Sequence, residues 1–185
     1  MSKRQLAILD ELERLLLGGS FATITMAEMA ATVRCSLRTL YELAPSKDQL
    51  VVTVVDRMLW RIGRRAARAI EAESVPLDAL RGFLSATTDA VRDVTSAASF
   101  DLAATPGALA VAERHERYLV GVIEELLAAA VDDGSLRNVD IGALAVVLAG
   151  LGATLASTAA QARLRTNPKV AADEITEVLL RGLQR

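Results

Sequence analysis

Arg34, Ser36, Arg38, Thr39, Tyr41 and Lys47 crowd guanidinium, hydroxyl and ammonium donors into one short stretch of the chain. Such groups bind phosphate oxygens and the edges of bases in a duplex groove, provided that a helix carries them into it. The flanking residues supply that helix. Thr25 with Glu28 three places on forms a capping box and opens a helix over Met26 to Thr32, in which Met26, Met29, Ala30 and Val33 fall at helical spacing. A corner follows at Val33 to Cys35. Ser36 then N-caps a second helix, Leu37 to Glu42, which turns Arg38, Thr39 and Glu42 one way and Leu37 and Leu40 another. Pro45 blocks its continuation. Ser46 with Gln49 repeats the capping box, and the long helix it starts offers free amides beside Lys47, suited to a phosphate oxygen. Two short capped helices, a tight corner and a third capped start are what a helix-turn-helix reader of DNA requires.

Composition fits that arrangement. Of the 185 residues 52% are hydrophobic, 3% are aromatic and four are proline, which suits stacked helices around a sizeable core better than sheets. The expected fold is all-α. Prolines stand at helix starts: Thr105-Pro106 and Asn167-Pro168 read as N-cap and N1, and Pro76 opens a periodic run. A net charge of −2 argues against a protein that coats nucleic acid. Basic and acidic residues also balance within residues 1–50, so DNA binding must come from the placement of charge and from two copies acting together. Cys35 has no partner for an internal disulfide and no secretory leader pattern opens the chain, so a reducing cytoplasm is the expected location. Cys35 is read as a small core-facing residue, because a redox role needs an exposed thiol of low pKa.

Residues 3–17 form a first amphipathic helix with Leu6, Leu9, Leu12 and Leu16 on one stripe, closed by Gly18-Gly19. The long helix from Ser46 to about Glu73 buries Val51, Val54, Val55, Met58, Leu59 and Ile62, and carries Arg57, Arg61, Arg64, Arg65 and Arg68 on a face expected to be solvated. Further helical patterns cover 76–97, a short piece at 99–104, then 106–132, 140–164 and 169–184, about nine helices in all. The run Ile141 to Ala156 is apolar nearly all round, yet at sixteen residues it falls short of the roughly 20 that cross a bilayer. Its glycines and alanines let another helix approach closely. That helix belongs either to a second subunit or to the same one.

Thr25, Met26, Met29, Ala30, Ser36, Thr39, Leu40, Tyr41, Pro45, Ser46, Lys47 and Leu50 stand where the DNA-binding domain of the TetR family of bacterial transcriptional regulators has such residues. The segment resembles that domain. The resemblance implies a three-helix helix-turn-helix DNA-binding domain over residues 1–47 and a helical-bundle effector-binding and dimerisation domain over 48–185. It further implies that Arg38 and Thr39 face bases or phosphates, Tyr41 reaches the backbone and Lys47 clamps a phosphate, with Thr25, Arg34 and Ser36 completing the expected DNA contacts. The chain departs from the family pattern twice. Arg34 occupies the place of a corner glycine, so either it enters the left-handed region or the corner is built differently. Leu43 and Ala44 replace an aromatic pair, which implies lighter packing under the recognition helix.

The family pairs its last two long helices with those of a second subunit, which assigns Leu144, Val147, Leu148, Leu151, Leu155, Ile175, Val178 and Leu179 to a homodimer interface. Family analogy also gathers Met58, Trp60, Phe83, Thr87, Phe100, His115 and Tyr118 around a chamber for a small apolar effector. The competing reading makes His115 and Tyr118 core residues with satisfied hydrogen bonds. With one histidine, one cysteine and no phosphate loop or nucleophile motif, no catalytic role, metal or cofactor is expected. The expected function is a cytoplasmic homodimeric repressor of a double-stranded DNA operator, released by a small molecule, with no membrane partner. The alternative is a helical dimer with a degenerate reader that acts through a protein partner.

Overall fold

Ser2, Thr25, Ser36, Ser46, Asp140, Ser157 and Asn167 each place a side-chain oxygen on the amide three residues ahead, and a helix begins after every one. A computed structural model describes residues 1–19, 21, 23–89, 92 and 104–185. Among them the helices are α1 (Lys3–Leu17), α2 (Met26–Thr32), α3 (Leu37–Leu43), α4 (Lys47–Glu71), α5 (Pro76–Thr88), α6 (Pro106–Asp132), α7 (Ile141–Ala156), α8 (Thr158–Gln161) and α9 (Pro168–Leu183). The described residues hold no strand, only an isolated antiparallel bridge between Leu136 and Gln184. The all-α expectation holds.

Two boundaries differ from the sequence reading. The pattern over 140–164 is not one helix, because Ser157 turns extended at φ −64°, ψ 149°. Its hydroxyl donates to the Thr154 carbonyl at 2.7 Å and accepts from the Ala160 amide at 3.3 Å, closing α7 and capping α8 at once. In the pattern read over 76–97, α5 runs to Thr88. Most of the remainder, and most of the short piece at 99–104, lie outside the described residues.

The chain packs as two units, and α4 and α6 contribute to both. The first comprises Met1–Leu59 and, of the described residues, 104–113. Leu9, Leu12 and Leu16 of α1 are buried with Phe21, Met29, Leu40, Leu50, Val54, Ala108 and Val111, whereas Leu6 is exposed. Arg57 departs from the expected solvated face. Its guanidinium is largely buried, 2.7 Å from Asp10 and 3.6 Å from Glu13, and ties α4 to α1.

The second unit comprises Trp60–Arg92 and Arg114–Arg185. Its core draws on Leu80, Phe83 and Leu84 of α5, Leu119, Ile123 and Leu127 of α6, Ala145 and Leu148 of α7, and Leu180 of α9. Lys169 fastens the α5 end to α9. Its buried ammonium donates to the Ser85 carbonyl at 3.3 Å, the Ser85 hydroxyl at 3.2 Å and Asp173 at 2.6 Å, and it lies 3.4 Å from Asp89. Thr88 donates to the other Asp173 oxygen at 3.0 Å. Burial alone would raise the Asp89 carboxyl, but Lys169 and Arg92 bring it below its ordinary value. Among the described residues no helix is long and apolar enough to cross a membrane.

Candidate nucleic-acid interface

The reader is built from its caps outward. Glu28 receives the Thr25 amide at 2.7 Å and the Thr25 hydroxyl at 2.8 Å, while Thr25 Oγ1 accepts the Glu28 amide at 3.3 Å. These bonds from Thr25, with nearby Lys47, hold the Glu28 carboxyl below its usual range. Past α2 the chain turns through Arg34 at φ 54°, in the left-handed region, and the Cys35 amide closes the corner on the Ala30 carbonyl at 2.9 Å. Of the two alternatives for this corner, the left-handed one is realised. Cys35 is half-buried, and burial pushes its thiol up, against redox chemistry there.

Ser36 caps α3 by accepting the Thr39 amide at 3.1 Å, and its hydroxyl shares a 2.8 Å hydrogen bond with that of Thr39. Leu40 anchors the helix in the first core. Ala44 beneath it is buried and extended at φ −157°, as the residue ahead of a proline prefers, while Leu43 is partly buried against the same core. Arg38 projects into water with its side chain 88% exposed, its Nε donating to Glu42 Oε1 at 3.0 Å, and Tyr41 is also exposed. Lys47 sits differently from a bare phosphate clamp. Its ammonium donates to the Ile24 carbonyl at 2.8 Å and braces the start of α4 against the start of α2. No spacing rule connects residues so far apart, so sequence reasoning missed this bond. The Arg38–Glu42 pair was not singled out from sequence either, although its i, i+4 spacing is a signal for it.

The residues expected to hold an effector occupy varied environments. Met58 is buried in the first unit, and Phe83 is fully enclosed in the second core. Trp60 is 59% exposed with the Arg64 guanidinium 4.8 Å above its ring. Thr87 is half-buried and its hydroxyl donates to the Leu84 carbonyl at 2.8 Å. His115 and exposed Tyr118 come together, their ring centroids 6.3 Å apart. His115 lies against Gly63, and burial pushes its imidazole down from the ordinary value. Phe100 lies outside the described residues. A cleft of about 520 Å³ opens elsewhere, beside Val75, Asp78, Arg81, Ser135 and Gln184, and none of the expected effector residues lines it.

On α7 and α9 the residues expected to pair subunits divide. Val147, Ile175 and Val178 are exposed, Val178 to 72%. Leu144, Leu151, Leu155 and Leu179 are partly buried, and Leu148 belongs to the unit's own core. Val146 and Val170 are exposed as well and were not singled out from sequence.

Residues 77–183 match a family model described as tetracyclin repressor-like, C-terminal domain. No curated protein matches the chain. Among solved structures, a transcriptional regulator of the TetR/AcrR family from Thermobifida fusca is 17% identical with a TM-score of 0.76, all of each chain being covered. The ketosteroid transcriptional regulator KstR2 of Mycobacterium tuberculosis is 14% identical with a TM-score of 0.71, covering 100% of this chain and 97% of that one. AibR in complex with isovaleryl coenzyme A and operator DNA is 20% identical with a TM-score of 0.68, covering 94% and 96%. At such identities the likeness to these structures is one of fold.

Proposed function

Since the chain belongs to the TetR family of transcriptional regulators, we propose that it is a cytoplasmic homodimeric repressor that reads a near-palindromic operator through α3 and releases it on binding a small molecule. Residues 1–47 are the reading domain and 48–185 the effector and dimerisation domain. The observation that carries the reading is the mounting of α3. Leu40 seats the helix in the head's core while Arg38 and Tyr41 stand in solvent on its free side. Arg38 and Thr39 address base edges, and Thr25, Arg34, Ser36, Tyr41 and Lys47 border the surface that meets the phosphates.

Exposed Val147, Ile175 and Val178 support pairing through α7 and α9. Two copies matter physically. With balanced charge in each head, one reader neutralises few phosphates, whereas two half-sites joined rigidly add their binding energies. The neighbour AibR was captured with isovaleryl coenzyme A and operator DNA, which supports an effector with an apolar body. Such an effector favours release only by binding better to the conformation whose readers no longer match the half-sites. Within the second unit, the residues we assign to it are Trp60, Phe83, Thr87, His115 and Tyr118.

The decisive experiment selects bound duplexes from a random pool with the full chain. Enrichment of a two-fold symmetric sequence is expected, and Arg38→Ala should cost about 1–3 kcal/mol at one base pair of each half-site. A chain that enriches no sequence would refute the reading.

A further inference from the structure

The outward surface of α3 carries one cation and one anion, and they are bonded to each other. Arg38 Nε donates to Glu42 Oε1 at 3.0 Å, one helical turn on, with the two side chains 88% and 52% exposed. A guanidinium offers donors along its Nε side and across its terminal fork. With the Nε side occupied by Glu42, the terminal nitrogens remain to be presented. They have no partner among the described residues. A fork presented in this way matches the O6 and N7 acceptors of a guanine in the major groove.

We propose that Glu42 is the positioning and specificity residue of the reader: it holds Arg38 so that the terminal fork meets one guanine, and its charge discourages the phosphate contacts that Arg38 would otherwise make on any duplex. This rests on the DNA-reading function proposed above. In water an exposed pair one turn apart is weak and orients Arg38 only loosely. Inside the groove, where water is displaced, the attraction strengthens and the orientation with it. Glu42 also acts against the wrong partner. Nonspecific duplex offers mainly phosphates, and a carboxylate beside the arginine repels them, whereas the guanine contact leaves the pair intact. Discrimination is a difference of affinities, so lowering the nonspecific one raises it. The neighbouring hydroxyls contribute little to this orientation, because Thr39 is engaged with Ser36.

The test uses the full-length chain, an operator found by selection from random duplexes, and a scrambled duplex, with affinities read by fluorescence anisotropy at several salt concentrations. Glu42→Ala should bind the scrambled duplex more tightly, steepen the salt dependence by about one released counterion, and lower the operator-to-scrambled ratio about five- to tenfold. Its base preference should relax at the same guanine that Arg38→Ala relaxes. Glu42→Gln keeps an oxygen for Nε without the charge, so it should hold the guanine preference while still gaining affinity for scrambled DNA. Circular dichroism of each variant checks that the exposed substitution leaves the fold intact. An unchanged ratio in Glu42→Ala, or relaxation at a different base pair, overturns the proposal while leaving the reading function standing. A wild-type chain that selects no sequence overturns both.

Discussion

Arg34 holds the corner between α2 and α3 at φ 54°, where an L side chain is disfavoured and glycine is not. The left-handed conformation costs an arginine about 1–2 kcal/mol, and the looser unfolded chain of a glycine offsets about half of that. Arg34→Gly is therefore expected to stabilise the chain by about 0.5–1 kcal/mol in urea denaturation. If Arg34 borders the DNA as proposed, the same change should weaken DNA binding and flatten its salt dependence, since an exposed guanidinium is lost; a variant less stable than the parent would contradict the account of the corner. His115 supplies a second residue-level prediction. Burial holds its imidazole below the ordinary 6.5, so the folded chain favours the neutral ring. Its contribution to stability is complete above the unfolded value and is lost as pH falls through the lower folded value. Between about pH 7.5 and about pH 5.5, His115→Gln should lose less stability than the parent chain. Glu28, Asp89, Asp133 and Glu177 are all held below their ordinary values, so their losses fall at more acid pH and leave this window to the histidine.

Helix starts were legible wherever a cap states its purpose in a few letters, as at Thr25-Met26-Ala27-Glu28 and Asn167-Pro168. Serine is more ambiguous. In Ser157 the hydroxyl that could have ridden along a helix instead turned to a carbonyl behind it and an amide ahead, and nothing in the local pattern decides between these uses. Close approach between elements is equally hidden. A Cβ added at Gly107, in the first turn of α6, would stand 2.7 Å from Val52 Cγ2 of α4, and that short branched side chain has little freedom to retreat. Gly107→Ala should destabilise the chain by about 1–3 kcal/mol through overpacking. Val52→Ala in the same chain should recover most of it. Strictly additive effects of the two substitutions in a double-mutant cycle would show that this contact does not set the spacing of the helices.

The proposed dimer belongs to the molecule as a whole. Val147→Glu with Val178→Glu places charges on two exposed apolar sites, so the variant should remain helical. By sedimentation equilibrium it should be monomeric, and its operator affinity should fall by at least about a hundredfold because the second half-site no longer contributes. A folded variant that still sediments as a dimer would move the interface elsewhere. The helical class, the caps at Thr25, Ser36, Ser46 and Asn167 and the outward turn of Arg38 were determined by sequence alone, since each depends on neighbours within four positions or on a motif that carries its own spacing; at Arg34 the letters allowed two corners, and the fold took the left-handed one. Tertiary structure decided which faces turn inward. Because α7 is apolar nearly all round, its letters carry no phase, and only packing against α5 and α9 sends Leu148 into the core and leaves Val146 and Val147 outside. The ties from Lys47 to Ile24, Arg57 to Asp10 and Lys169 to Ser85 likewise join residues tens of positions apart, where the partner of a charge is set by the fold and not by periodicity.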